Sequence, residues 1–171
     1  GMTLVLVPPC MTVGANVVDT SPVVASNAGH CLFAGIAEPH HAARTVARLL
    51  RHDCSCGWGI RTLSTRDARY NPIGYHTGTV WPFDNSFITW GLRRYGFKEE
   101  AALVAASNLD AATYFDGRLP EAYGGYPRSM TTYPVQHPTA CSPQAWSAGA
   151  PLLFLRAMLG LEPLGDHLVV D

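Results

Sequence analysis

Between two segments of helical character lies a run of about thirty residues, 52 to 82, "HDCSCGWGIRTLSTRDARYNPIGYHTGTVWP", that has no helical or strand period. A loop of that length in a compact domain is commonly either functional or unstructured. Its two tyrosines and two tryptophans weigh against the second, because aromatic rings gain from being packed. The chain therefore has to be a scaffold that carries long ordered loops.

The flanking segments define that scaffold. Pro39 suits a first helical turn, and Ala42, Ala43, Val46, Leu49 and Leu50 recur on one face up to Arg51, with arginines turned out. A second helix is expected from about Asp84 to Tyr95, with Phe87, Ile88, Gly91, Leu92 and Tyr95 inward and Gly96 as its stop. A third runs from Lys98 to about Phe115, acidic at its start and closed by Gly117. A fourth has Ser142 as cap and Pro143 at its first position; it continues to Gly160 with apolar residues on almost every side, which predicts burial. The tail "GDHLVVD" reads as a short strand or the beginning of a further element, and residues 1–25 as an arm. Gly1 ahead of Met2 resembles a tag remnant. The class is all-α, with long loops at helix ends and one main unit over residues 26–171.

Composition narrows the function. At 171 residues, 47% hydrophobic and 15% charged, the chain can fill a core. Its net charge is −1, Lys98 is its one lysine and its arginines form no stripe, so nucleic acid is not an expected partner. The apolar run "LVLV" is too short to span a bilayer, so no membrane is expected either. Five cysteines lack paired metal-site spacing, and "CSC" at 54–56 is too short for a metal motif. No metal and no cofactor are expected, and a reducing cytoplasm is the simplest setting.

Two loops carry chemistry. In "RLPEAYGGYPR", residues 118–128, Glu121 stands between a proline that stiffens its approach and two glycines, a place for a held carboxylate beside aromatic rings. A surface glutamate before a turn is the bland alternative. In "YHTGTVWPFDN", residues 75–85, His76 and Asp84 are proton carriers and Tyr75 and Trp81 flat apolar faces of the kind that stack on sugars. Against this stands Asp84 as a plain helix cap and Trp81 as core. Trp58 and Arg61 in "GWGIRTL", and Gln144 and Trp146 in "SPQAW", repeat the vocabulary, although packing explains Arg61 and Trp146 at least as well.

"SNAGHCLFAGIA" (26–37), "GWGIRTL" (57–63), "YNPIGYHTGTVWPFDNSFITWGLRRYG" (70–96), "RLPEAYGGYPR" (118–128) and "CSPQAWSAGAPLLFLRAMLGLEP" (141–163) resemble, in that order, the C-terminal part of the catalytic domain of glycogen debranching enzymes of the amylo-α-1,6-glucosidase type. The resemblance covers about residues 22–163. It implies a partial (α/α)6 toroid, of which this chain holds about five helices, and inverting hydrolysis of α-1,6 branch linkages in α-glucans. It implies Glu121 as the catalytic base, and Tyr75, His76, Trp81, Asp84, Trp58 and Gln144 as substrate-binding residues. Phe83 stands where many relatives carry histidine and is left unassigned. Nothing before Ser26 resembles the region that supplies the family's general acid, and inversion needs two carboxyl groups roughly 6.5 to 9.5 Å apart. The acid is thus expected from outside this chain, which looks like the later portion of a catalytic domain, with a complementing chain or self-association as the implied partner. The alternative is a catalytically inactive carbohydrate-binding or interaction module.

Overall fold

The computed structural model describes residues 23–170. The expected arm at 1–25 therefore lies outside the described residues except for its last three. There Val24 accepts a hydrogen bond from the Ser64 amide at 2.9 Å and Ala25 bridges to Leu63.

Five α-helices follow: α1 (Ala28–Ala34), α2 (Pro39–Leu49), α3 (Pro82–Arg94), α4 (Lys98–Ala112, continued by a 3-10 turn at Thr113–Phe115) and α5 (Ala145–Leu159). The expected helices at 38–51, 84–95 and 98–115 are thus present. α1 was not expected; its seven residues are too few to display a period, and Gly35 in the left-handed region ends it. The tail forms an exposed antiparallel hairpin, β1 (Leu161–Leu164) and β2 (His167–Val170).

Helix α3 is the hub, packed against α1, α4 and α5. Nine of its residues are buried, so it carries no narrow apolar stripe. Its approach to α1 is close because Gly91 lies against the backbone of Leu32 and Phe33, where any side chain would collide. On the other side α4 presents Ala101, Val104, Ala105, Asn108, Ala111 and Ala112, a stripe small enough for short interhelical distance. One core cluster, including Leu32, Val46, Leu49, Ile60, Ile88, Leu92 and Val104, joins α1 to α4; a second gathers Trp58, Val80, Tyr123 and Phe154 around α4 and α5.

Two expectations for helix faces are corrected. On α2, Ala43 is exposed and Thr45 is buried instead, and Arg48 turns inward, with Nη2 2.6 Å from the buried Asp53. That pair fixes the start of the long loop to the helix, since a buried carboxylate must be matched. Helix α5 begins at Ala145, with Gln144 as its N-cap, and not at Pro143. It is also only half buried: Leu152, Leu155, Met158 and Leu159 face outward while Ala150, Phe154 and Ala157 face the core. An apolar residue on every side signalled burial, but among the described residues nothing covers the outer face.

The long loops are ordered by single bridges. Arg61 pairs with Val80, Val80 with Tyr123 and Tyr123 with Gln136, so four non-adjacent stretches lie side by side. Buried asparagines lock this platform to the helices. Asn85 accepts the Ile60 N–H at 2.7 Å and donates to the Ile60 carbonyl at 3.0 Å; Asn108 accepts the Tyr123 hydroxyl at 3.0 Å. Unpaired, each of these buried backbone groups would cost about 1–3 kcal/mol, so the register of the loop on α3 is firmly set.

Candidate functional site

An open cavity of about 710 Å³ lies where the loops meet the N-terminus of α3, and its lining includes Glu121, Asp84, Tyr75, His76, Trp81 and Trp146. Five residues expected from sequence at one site thus line one concavity.

Glu121 is 8% exposed and its position is set twice over. Its backbone N–H donates to the Cys141 carbonyl at 2.9 Å, and the Cys141 N–H returns to its carboxylate Oε2 at 3.1 Å. Just downstream, Tyr123 exchanges two backbone hydrogen bonds with Val80, and Gly125 is pressed against the carbonyl of Gly78, a contact that leaves no room for a side chain. Gln144 comes to the carboxylate as well: its Nε2 donates to Oε1 at 3.0 Å, while its Oε1 accepts from the buried Ser147 hydroxyl at 3.1 Å. The extended backbone of Gln144 at the N-cap is what points this amide back toward Glu121. Tyr75 completes the ring of donors. The hydrogen bond of its phenol to Glu121, together with desolvation and the nearby negative charge, pushes its pKa up to about 12.

Asp84 occupies the first turn of α3, with Trp81 at the N-cap, and it makes no capping bond, so the helix-cap alternative does not hold. Its Oδ1 accepts from His30 Nε2 at 2.5 Å, whereas Oδ2 is buried without any hydrogen-bond partner. Oδ2 is enclosed as well as unpaired, so Asp84 meets the cavity through the rest of its side chain.

Rings make up the walls. His76 stacks on Trp81 at 5.2 Å and 16°, Tyr75 meets Trp81 edge-on at 4.8 Å, and Phe83 stacks on Trp146 at 4.4 Å and 10°. The Trp81 indole N–H donates to the Tyr75 carbonyl at 3.0 Å, so this ring is both core and wall. Phe83, without a role in the sequence, thereby becomes part of the cavity.

Trp58 is a correction. It is fully buried in the second core cluster, covered by the Arg128 guanidinium at 4.1 Å from its ring, and it does not line the cavity. The glycines on either side let the loop turn this ring inward, where α4 and α5 offer apolar surface. Arg61 is structural too: its Nε donates to the Gly125 carbonyl at 2.6 Å and Nη1 to the His52 carbonyl at 2.9 Å. His30, Ser147 and the Cys141 amide were missed. A backbone donor has no sequence signature, but the histidine in "SNAGHCLFAGIA" is a signal that could flag His30. Among the described residues no cluster of three or more histidine, cysteine or acidic side chains could hold a metal ion, and no helix is long and apolar enough to cross a membrane.

An all-α shell whose helix ends and loops surround a carboxylate-bearing, ring-walled cavity is the architecture of the α/α-toroid glycoside hydrolases, and comparison with solved structures supports that class. A GH63 mannosylglycerate hydrolase from Thermus thermophilus in complex with Tris matches with a TM-score of 0.63 and 25% identity over 78% of this chain and 30% of that one. The same kind of enzyme in complex with glucose matches at 0.64 and 25% over 78% of this chain and 29% of that one. The chain belongs to the family described as the mannosylglycerate hydrolase MGH1-like glycoside hydrolase domain, whose model matches residues 13–127. Mannosylglycerate hydrolases MGH1 and MGH2 of Selaginella moellendorffii are each 35% identical over 79 residues, 46% of this chain and 16% of theirs. The chain thus spans well under a third of the length of these curated relatives. The partial toroid and the glycoside hydrolase class stand as expected, whereas the relatives are mannosylglycerate hydrolases and not the narrower glycogen debranching enzymes that the motifs suggested.

Proposed function

We propose that this chain carries the base-bearing portion of an inverting glycoside hydrolase site, with Glu121 as the general base. The observation that carries the reading is that Glu121, nearly buried, shares one cavity with Asp84 and the rings of Trp81, His76 and Tyr75. A carboxylate has about four lone-pair positions. The Cys141 N–H and the Gln144 amide occupy one on each oxygen, which leaves room on the carboxylate for a water. That water attacks the anomeric carbon and gives its proton to Glu121; the bond to the leaving oxygen breaks as an acid protonates that oxygen. Asp84 is a poor choice for the acid, because its Oδ1 already accepts from His30. Asp84 is better suited as part of the sugar-facing wall, with Trp81 beside it as a stacking face. The acid is assigned outside this chain.

The substrate we favour is a small glycoside of the mannosylglycerate kind, after the names of the relatives. A second reading, an α-1,6-linked glucose stub on an α-glucan, draws on the stacked Phe83–Trp146 pair, whose exposed indole offers a platform for another sugar ring. The outward leucines of α5 favour association with further toroid helices, which would also supply the acid. Sedimentation showing a stable, dispersed monomer would count against that partner. The deciding experiment measures sugar release from mannosylglycerate and from a branched limit dextrin, by the wild type and by Glu121→Gln. Release that survives Glu121→Gln removes the base assignment; binding of sugar without release by the wild type favours the inactive carbohydrate-binding module.

A further inference from the structure

Two stretches far apart in sequence meet behind the cavity: loop 71–77, which carries Tyr75, and residues 135–139. The second is fixed to the run that holds Glu121, since the Val135 carbonyl accepts the Gly124 N–H at 2.7 Å and Gln136 bridges to Tyr123. From it His137, 5% exposed, reaches into the first. Its Nε2 lies 3.1 Å from the carbonyl oxygen of Ile73, and its Nδ1 lies 3.3 Å from the Thr139 backbone N–H. A carbonyl can only accept and a backbone N–H can only donate, so Nε2 carries the proton and Nδ1 is bare. Both nitrogens are engaged, and the ring centroid sits 5.6 Å from that of Tyr75. A buried histidine with both nitrogens so occupied is a brace.

We infer that His137 is a positioning residue for the site: by holding the Ile73 carbonyl it keeps Tyr75 on the wall of the cavity that Glu121 shares. Thr79 Oγ1 and Trp81 Nε1 donate to the Tyr75 carbonyl at 2.7 and 3.0 Å, which fixes the downstream side of this residue. On the upstream side the Gly74 N–H donates to the Asn71 carbonyl at 2.8 Å within the loop, and His137 adds a hold on Ile73 from outside it. The functional meaning rests on Glu121 being the base, but the brace is tested without any turnover.

The chain is labelled with 13Cζ-tyrosine, and the Tyr75 resonance is identified by its loss in Tyr75→Phe. His137→Gln places an amide donor near the position of Nε2 and keeps the hold on Ile73. His137→Asn keeps an acceptor for Thr139 but is too short to reach Ile73. The expected result is a Tyr75 resonance near the wild-type position in the Gln variant, and one moved to the free-tyrosine position in the Asn variant. A Tyr75 resonance unmoved in Asn, or moved equally in Gln, overturns the inference, and so does folding lost in both variants unless the wild type answers. For that case the 15N-histidine spectrum of the wild type decides: a bare Nδ1 at His137 upholds the brace, and a protonated Nδ1 overturns it. Retained hydrolysis in Glu121→Gln would remove the base reading and leave this result untouched.

Discussion

The two carboxylates of the cavity are treated differently by their surroundings. Glu121 is held by the Cys141 N–H and the Gln144 amide, one on each oxygen, on a clamped backbone with Tyr75 nearby. Asp84 rides on the first turn of a helix, paired to His30 through one oxygen with the other bare. A group that must aim a single water in one direction benefits from having its other lone pairs taken. A carboxylate tied to one histidine, with its other oxygen enclosed, serves instead to shape the wall. The contrast teaches that the donors around a carboxylate, more than its burial, divide these roles, because both residues are 8% exposed.

Substitutions test that division, beginning with the largest effect. Glu121→Gln should lower turnover by about 10²- to 10⁴-fold with little change in KM, measured by sugar release in an assembly that turns over. A rise in KM with kcat unchanged would make Glu121 a binding residue like Asp84. Asp84→Asn should weaken sugar affinity by roughly tenfold, by loosening the His30 pair that holds this part of the wall, and calorimetry should show it. An unchanged affinity would erase the contrast from the other side. Ser147→Ala frees the Gln144 amide to flip its oxygen toward Glu121; turnover should fall by about tenfold or less, from the loss of about 1 kcal/mol of hydrogen bonding, while sugar affinity holds.

The smallest effect is read by titration. In the folded chain Tyr75 loses its proton at about 12, against about 10 when unfolded. The protonated phenol is the form that bonds to Glu121, so its contribution to stability is full below about pH 10 and is lost as pH rises through 12. The wild-type minus Tyr75→Phe absorbance difference should show one phenol with that late midpoint. A midpoint near 10 would mean that Tyr75 does not reach Glu121.

Much of the scaffold was legible. Pro39 and the periodic alanines and leucines located α2, and the acidic start of Lys98–Ala112 located α4. Glu121 could be read as held, because a proline before and glycines after it restrict where its backbone can lie. Trp58 could not be placed, since a ring in a glycine-flanked loop can face a ligand or a core with the same neighbours in sequence. Helix α5 misled because uniform apolarity signals contact without saying which partner makes it. The Cys141 amide and the pairing of His30 with Asp84 depend on residues 20 and 54 positions apart, a distance over which local pattern carries no information.

The contact of Gly125 with the Gly78 carbonyl has a bearing on engineering. It joins, backbone to backbone, the loop that bears Tyr75 and the run that bears Glu121. Neither can be exchanged for a homologous or designed segment on its own unless the graft keeps a glycine at position 125 and the same chain path at position 78. Attempts to retune substrate choice by transplanting residues 71–77 should move both stretches as a matched cassette.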